Sequence, residues 1–289
     1  MINIGNIEVG IVGLGLMGGA IAKALRKTCG VSRERLSACD IDNDTLHAAK
    51  NEGLISRFFE PERAGEMLAS SDLVFLCINP SAILKFISRW ETAFQKGSLV
   101  TDIAGIKGSI AEAAANFRPD VDFIPGHPMA GAEKSGFTNA SLCDFKGKNY
   151  ILTPLPRNKN ENLAFLKDLI YRMGFNRITE VTPAEHDSKI AFTSQLCHVI
   201  AAALIDCESD TKITRFGGGS FEDLTRIAII NAPMWTELFI ENRDALLERI
   251  GQFESSLDIL KSLISNTQAG KLEERLNHVR KRRTEMAAR

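Results

Sequence analysis

The stretch Ile7–Leu25, read as IEVGIVGLGLMGGAIAKAL, carries the strongest architectural signal in the chain. It predicts a short apolar strand over Ile7–Val12, a turn with the spacing G-x-G-x-x-G, and then a helix. Glycines at this spacing allow a tight turn, close approach of the backbone to a pyrophosphate and close helix packing, while the helix N-terminus offers amides to phosphate. The stretch therefore predicts a dinucleotide-binding turn. The residues that we expect to contact the cofactor are Gly13, Leu14, Gly15, Leu16, Met17 and Gly18.

A carboxylate follows the second predicted strand. The segment Leu36–Cys39 ends in Asp40, about twenty residues after the turn, where an acidic side chain accepts hydrogen bonds from the adenosine ribose of a dinucleotide. Asp40 and Asp42 would also repel a 2′-phosphate, and no arginine follows directly to bind one. The pattern favours NAD over NADP as the cofactor.

Strand and helix signals continue to alternate along the chain. The segments are a helix over Leu46–Glu52, a strand over Asp72–Ile78, a helix over Ala82–Phe94 and a strand over Leu99–Asp102. Such alternation with apolar strands is typical of an α/β fold with a doubly wound parallel sheet. Asn79 and Asp102 end two strands, so we expect them to border the cofactor, although ordinary loop punctuation explains them equally well.

A histidine lies in the loop Pro125–Gly136, read as PGHPMAGAEKSG. The loop follows a predicted strand over Val121–Ile124 and is rich in glycine, proline and small residues. Open α/β sheets bind their ligands at the carboxyl ends of their strands, which makes His127 a candidate catalytic residue. A histidine that merely caps a turn is the alternative.

The composition changes at Thr182. Before it, a strand over Tyr150–Pro154, a helix over Leu163–Met173 and a strand over Arg177–Val181 complete the first domain. Thr182-Pro183-Ala184-Glu185 has the form of a capping box and opens a long helix to about Asp206. No convincing strand follows. We expect an NAD-binding domain over 1–181 and an all-helical domain over 182–289 that ends in a charged tail.

Apolar residues recur at spacings of four and three in the second domain. They are Leu246, Ile250, Phe253, Leu257, Leu260 and Ile264. This seam predicts helices packed on each other across a homodimer interface, with a core stripe within one chain as the alternative.

Composition narrows the class of partner and the compartment. The 289 residues are 44% hydrophobic and 25% charged with a formal net charge of −1, which gives no electrostatic case for nucleic acid or an anionic membrane. Six cysteines are scattered without a C-x-x-C pair, so we expect reduced thiols and no metal site. We find no signal peptide and no apolar run of about 18 residues. We therefore expect a cytoplasmic protein.

The chain resembles the prephenate/arogenate dehydrogenases of tyrosine biosynthesis from Val9 to about Ile264. The blocks that carry the resemblance are GLGLMGGAIAKAL from Gly13, PGHPMAGAEKSG from Pro125, EHDSKIAFTSQLCH from Glu185, and FEDLTRIA from Phe221 followed by Met234-Trp235. The resemblance implies oxidation of a cyclohexadiene at C4 by NAD, with loss of its ring carboxylate as CO2. Neither a fused chorismate mutase nor an ACT regulatory domain is expected.

The resemblance also implies roles for individual residues. His127 matches the catalytic histidine, whose neutral imidazole bonds the C4 hydroxyl, and an unperturbed histidine pKa of about 6.5 suits proton transfer near neutrality. Arg226 matches the substrate-binding arginine, whose guanidinium can grip a carboxylate bidentately. His186 and His198 match histidines of the same cleft, to which we assign supporting roles in substrate binding.

Two departures from the family pattern bear on the chemistry. Gly105 stands where many members have a serine that bonds the substrate and the catalytic histidine, and Ser135 is our candidate replacement. Gln195 stands where many members have another histidine. Arogenate carries an ammonium that would profit from a nearby carboxylate, which a neutral glutamine does not supply, so we favour prephenate.

Three other functions remain open at this stage. The chain could be an arogenate dehydrogenase. A β-hydroxyacid dehydrogenase would need a catalytic lysine in the helical region, where Lys189 is the only candidate in the long helix. A non-catalytic NAD-binding sensor would explain the missing serine but leaves His127 and Arg226 without a purpose.

Overall fold

The computed structural model describes residues 4–132 and 134–287. Nine strands lie within them. They are β1 Val9–Val12, β2 Leu36–Cys39, β3 Arg57–Phe59, β4 Leu73–Leu76, β5 Leu99–Asp102, β6 Asp122–Phe123, β7 Gly126–Pro128, β8 Asn149–Leu152 and β9 Arg177–Glu180.

Six strands form one parallel sheet in the order β3-β2-β1-β4-β5-β6. The order reverses direction between β1 and β4, which is the arrangement of dinucleotide-binding sheets and places the ligand cleft at that switch point. Strands β1, β2, β4 and β5 are buried along their whole length, as expected for central strands covered by helices on both faces. The predicted fold class is confirmed.

The remaining strands form a separate three-stranded sheet in the order β7-β8-β9. Strand β7 pairs antiparallel with β8, and His127 lies opposite Ile151. The prediction that His127 lies in a loop was therefore wrong, because the chain re-enters a sheet two residues after Ile124. The ring of His127 is held by a strand rather than by a turn.

The described residues also contain twelve α-helices. They are α1 Leu16–Lys27, α2 Asn43–Asn51, α3 Ala64–Leu68, α4 Pro80–Trp90, α5 Gly108–Ala115, α6 Asn160–Arg172, α7 Pro183–Ile190, α8 Leu196–Asp206, α9 Gly219–Thr225, α10 Ala232–Glu241, α11 Arg243–Ser265 and α12 Ala269–Ala287. Strand β3 and helices α3 and α5 were missing from the sequence prediction. All three are short, so their periodicity is weak.

The predicted long helix begins where its capping box indicated. The Thr182 hydroxyl accepts a hydrogen bond from the Glu185 amide, and Pro183 occupies the first turn. The helix is not regular, because a π-helical segment over Ala191–Gln195 joins α7 to α8. Insertions of this kind are frequent at functional sites.

The segment Pro183–Asp206 is, among the described residues, long and apolar enough to cross a membrane by length and composition alone. The segment is not an uninterrupted apolar run, because it includes Lys189, Gln195 and His198, and the absence of a membrane partner stays a prediction. Core helices of soluble proteins meet the same criterion, so it is weak support for a membrane span.

The chain divides into two compact units, one up to Asn242 and one from Arg243. The first contains both sheets and helices α1–α10. The second contains α11 and α12. The functional division at residue 181 stays a prediction.

Candidate active site

The glycine turn has the geometry that its spacing predicts. Gly13 has a φ of +90°, and a Cβ there would lie 2.6 Å from the carbonyl oxygen of Cys77. A Cβ on Gly18 would lie 1.9 Å from the carbonyl oxygen of Gly13, so the turn and α1 touch through bare backbone. Gly15 differs, because within the described residues a Cβ there would meet open space. The turn thus leaves room for a ligand at Gly15 and the first amides of α1.

Asp40 lies at the end of β2 beside this turn. Its carboxylate accepts hydrogen bonds from the Leu14 amide at 2.5 Å and from the Asp42 amide at 2.9 Å. It therefore ties the turn to the second strand, and its partial exposure leaves the carboxylate accessible to a ribose.

A cavity of about 620 Å³ opens from the turn. The predicted site residues that line it are Gly15, Leu16, Met17, Asn79, His127, Ser135, Gln195 and His198. Those that do not line it are Gly13, Leu14, Gly18, Asp40, Asp102, His186 and Arg226. The structure therefore brings the nucleotide turn and the candidate catalytic histidine to one cavity.

Asp102 departs from its predicted role as a cofactor contact. Its side chain is fully buried and forms an ion pair with Lys107, whose side chain is fully buried as well. The carboxylate also accepts hydrogen bonds from the amides of Ala104 and Gly126, at 2.8 and 3.1 Å. Gly126 precedes His127 in β7, so Asp102 fixes the strand that carries the histidine rather than a ligand.

His186 departs from its predicted role as a substrate contact. It is 1% exposed, and its Nε2 lies 2.9 Å from Nδ1 of His127. Its own Nδ1 lies 2.7 Å from Oδ1 of Asp187. Burial lowers the pKa of His186, although the Asp187 carboxylate opposes that effect. His186 thus stands behind the catalytic candidate and out of reach of the cavity.

The environment of His127 keeps its imidazole neutral. Burial foremost, and then His186 and Lys107, hold the pKa of His127 well below its ordinary value. A Cβ on Gly105 would lie 3.8 Å from Nε2 of His127 and 3.3 Å from Cδ2 of Leu238. Gly105 therefore adjoins Nε2, the ring nitrogen that faces away from His186, which is where the resemblance places the family's serine.

His198 is held against the indole of Trp235. The two rings stack with centroids 3.6 Å apart, and Nδ1 of His198 lies 3.0 Å from the carbonyl oxygen of Ser194. A carbonyl only accepts, so Nδ1 carries the proton and the other ring nitrogen of the neutral form is an acceptor. Burial lowers the pKa of His198.

Gln195 is 1% exposed and connects the π-helical segment to the end of α10. Its Nε2 donates to the carbonyl oxygen of Leu238 at 3.0 Å, and its Oε1 accepts from Nδ2 of Asn242 at 2.7 Å. These bonds engage both ends of the amide, so its role here is to hold α10 against the π-helical segment.

Arg226 and Lys189 lie outside the cavity lining, and Ser135 lies on it. Arg226 follows the last residue of α9 and is exposed, whereas Ile227 and Ile229 further along the chain line the cavity. Lys189 is exposed on α7. This position removes the lysine on which the β-hydroxyacid dehydrogenase reading depended.

Several residues at the site were missed by sequence reasoning. Lys134 and Lys148 are the ionised side chains among the described residues that line the cavity, and Trp235 and Leu238 form part of its wall. Lys134 and Trp235 belong to the sequence blocks that carry the family resemblance, so those blocks are a signal that could have identified them. Lys148 follows a charged turn whose local sequence gives no signal. Within residues 4–132 and 134–287, no group of three or more His, Cys, Asp or Glu side chains could hold a metal ion.

Two family models match the chain. The nucleotide-binding domain of prephenate dehydrogenase matches residues 21–178, and the dimerization domain of prephenate dehydrogenase matches residues 182–278. The prephenate dehydrogenase of Bacillus subtilis (strain 168) is 28% identical over 269 residues, which cover 91% of this chain and 71% of that protein.

Two solved structures are similar along the whole fold. The prephenate dehydrogenase of A. aeolicus in complex with hydroxyphenyl propionate and NAD+ has a TM-score of 0.85 and 29% identity, covering 96% of this chain and 97% of that one. The arogenate dehydrogenase of Synechocystis has a TM-score of 0.78 and 29% identity, covering 96% of this chain and 99% of that one. Both family models, the sheet order and the shared cavity agree: the chain belongs to the prephenate dehydrogenase family.

Proposed function

We propose that the chain is an NAD-dependent dehydrogenase that converts prephenate to 4-hydroxyphenylpyruvate, CO2 and NADH in tyrosine biosynthesis. The observation that carries the proposal is that Gly15–Met17 of the nucleotide turn and His127 line the same cavity. A substrate that binds beside His127 and donates hydride would therefore lie next to the part of the cofactor that extends from the turn into the cavity.

NAD fits the residues present. The open space at Gly15 and the N-terminus of α1, which has no side-chain cap, can take the pyrophosphate, and Asp40 can take the ribose. The NAD+ in the A. aeolicus complex supports this choice. When bound, the oxidised nicotinamide accepts a hydride.

His127 is proposed to accept the proton of the C4 hydroxyl as hydride leaves that carbon. Loss of the ring carboxylate as CO2 then makes the ring aromatic, and His127 returns the proton to the phenolate oxygen. This cycle needs a base that is unprotonated at neutral pH, which the lowered pKa of His127 provides. The protein therefore supplies positioning and a reversible proton acceptor.

The charge of the cavity supports prephenate over arogenate. Prephenate carries two carboxylates, whereas arogenate adds an ammonium. Lys134 and Lys148 line the cavity, and the described lining contains no aspartate or glutamate that would attract an ammonium. The role of Arg226 in binding a carboxylate remains a prediction from the family resemblance.

We also propose a homodimer, since the helical region matches a dimerization domain. Six free thiols support the cytoplasm as its location, because reducing compartments keep cysteines unpaired. Neither nucleic acid nor membrane is proposed as a partner.

The test is NADH formation with purified protein, NAD and either prephenate or arogenate. We expect turnover on prephenate with the higher kcat/KM, and a loss of kcat of about 10²–10⁴-fold in His127→Asn, the range for removal of a general base. The matched control is His47→Asn, a change at an exposed histidine on α2. Preference for arogenate would overturn the substrate and keep the mechanism. Binding of NAD without turnover on either substrate would favour the sensor.

A further inference from the structure

Three side chains form a hydrogen-bonded line that ends at the cavity. Asp187 Oδ1 lies 2.7 Å from His186 Nδ1, and His186 Nε2 lies 2.9 Å from His127 Nδ1. Only His127 lines the cavity, and His186 is almost fully buried. The other two residues therefore act on a substrate through His127 alone.

The direction of the hydrogen bonds in this line is fixed at its Asp187 end. Oδ1 of Asp187 accepts from the amide of Lys107 and Oδ2 accepts from the amide of Gly108, both at 2.8 Å. A carboxylate accepts and does not donate, so Nδ1 of His186 must carry a proton and donate it. The Nε2 of neutral His186 is then an acceptor.

The direction of the hydrogen bond between the two histidines follows from the proton on His186. Because His186 Nε2 accepts, Nδ1 of His127 must donate, and the second ring nitrogen of neutral His127 has no proton. That nitrogen, Nε2, is the one near the Cβ position of Gly105. The arrangement thus selects the tautomer of His127 that can take a proton from a hydroxyl group in the cavity.

The charged groups around the line favour two neutral imidazoles. Lys107, which is held in a buried ion pair with Asp102, lowers the pKa of each histidine in addition to the larger effect of burial. Asp187 and Asp102 oppose this lowering at His186. A proton on His186 would lie beside the Asp187 carboxylate, whose Oδ1 is 2.7 Å from Nδ1, and that charge stabilises it there.

We infer that Asp187 and His186 are positioning residues that hold His127 in its Nδ1-protonated tautomer and take over its proton during the reaction. The inference rests on the proposed function. As the substrate O–H bond breaks, a new N–H bond forms at Nε2 of His127, and the Nδ1 proton passes to Nε2 of His186. When the phenolate forms, both transfers reverse and no net proton remains on the protein.

The test combines Asp187→Asn with Glu185→Gln, an exposed carboxylate on the same helix, as its matched control. An asparagine that turns its N–H toward His186 reverses the line, and one that turns it toward the amide of Gly108 loses that hydrogen bond; in both orientations the carboxylate charge beside His186 is gone. We expect kcat to fall by about 10²-fold or more with KM for prephenate unchanged, as for loss of the correct histidine tautomer. The control should keep the kcat of the unmodified protein.

Ring ¹⁵N shifts, measured on protein labelled at its five histidines, report the tautomer without any need for turnover. We expect protonated Nδ1 on His127 in the unmodified protein and in His186→Gln, whose amide oxygen can still accept, and a different state in Asp187→Asn. His186→Gln should lower kcat while retaining the tautomer, because its amide cannot carry the proton onward. Either variant with unchanged kcat in an active enzyme overturns the relay. If the unmodified protein is inactive on both substrates yet shows the tautomer switch, the proposed function fails and the positioning role stands.

Discussion

Because residue 105 is glycine, Nε2 of His127 lacks the neighbouring serine hydroxyl that many family members have. The space that such a side chain needs is present but tight, since a Cβ at Gly105 would meet Leu238 at 3.3 Å. The contact is with the end of the Leu238 side chain, which must give by a few tenths of an ångström to admit the Cβ.

Gly105→Ser, compared with Gly105→Ala, isolates the effect of that hydroxyl. Both variants add the same Cβ against Leu238, so any packing cost is shared. The serine can bond Nε2 of His127 or the substrate, and one such bond is worth about tenfold in rate, or about 1.4 kcal/mol. We therefore expect kcat/KM on prephenate to be about tenfold higher in the serine variant. Equal values would show that the hydroxyl has no place in this site.

The two paired histidines also make stability depend on pH. In the unfolded chain their pKa is about 6.5, and folding lowers it, so below about pH 6.5 the unfolded state binds protons that the folded state does not. The contribution of these histidines to the free energy of unfolding is thus fully present above pH 6.5. It falls as the pH decreases, by up to about 1.4 kcal/mol per pH unit for each histidine. In urea denaturation at about pH 7 and pH 5.5, His186→Gln should show a smaller loss than the unmodified protein. His47→Gln, at an exposed histidine, should show the same loss as the unmodified protein.

The sequence identified His127 but not the residues that support it. The short strand β7 could not be predicted, because its three residues are too few to show an alternation of apolar and polar side chains and lie in a stretch rich in glycine and proline. Asp102, Lys107 and Asp187 meet across up to about 80 positions of sequence, and a contact that depends on tertiary packing leaves no local pattern. His186 was recognised by family resemblance, but only its burial shows that it acts behind His127.

Two glycines in the turn between β1 and α1 have different roles. Gly18 is needed for packing, because a Cβ there would overlap the Gly13 carbonyl. Gly15 borders the cavity, and a Cβ there would extend into the space that we propose for the cofactor.

Gly18→Ala and Gly15→Ala should therefore fail in different ways. Gly18→Ala forces α1 away from β1, and we expect a loss of about 1–3 kcal/mol or more in the free energy of unfolding. Gly15→Ala should leave the unfolding temperature unchanged and weaken NAD binding in calorimetric titration. Equal effects of both on stability would contradict the assignment of the open space to the cofactor.

Elements with clear local punctuation were predicted better than elements without it. Strands β2 and β5 have the bounds that the sequence indicated, since each is a compact apolar run with clear punctuation. The capping box placed the start of α7 correctly for the same local reason. The π-helical segment at Ala191–Gln195 has no recognisable sequence signature. Gln195 within it bonds the distant carbonyl of Leu238, and such a tertiary contact leaves no local pattern.

At the scale of the molecule, the unit from Arg243 presents apolar side chains to its surroundings. Leu257, Leu260 and Ile264 line a groove of about 520 Å³ on α11. Exposed apolar patches of this kind mark association surfaces, and the match to a dimerization domain supports our proposal that the partner is a second copy of the chain.

Leu257→Asp should convert the homodimer to monomer in sedimentation experiments at micromolar concentration, since it places a charge in an apolar contact. Ser255→Asp is the control, because it adds the same charge two residues away on another face of α11. Dissociation in both variants would indicate a general effect of charge, and dissociation in neither would place the dimer interface elsewhere.

The bonds of Asp187 to the amides of Lys107 and Gly108 have a consequence for where the chain can be divided. Glu237 makes a similar bond, at 2.5 Å, to the Ser81 amide at the start of α4. Residues 182–242 thus supply acceptors that helices α4 and α5 and the ring of His127 require. A fragment that ends at residue 181 would lose these partners, so we expect it to be less stable than the same residues within the whole chain. A cut after Asn242, where the first compact unit ends, spares every one of these bonds.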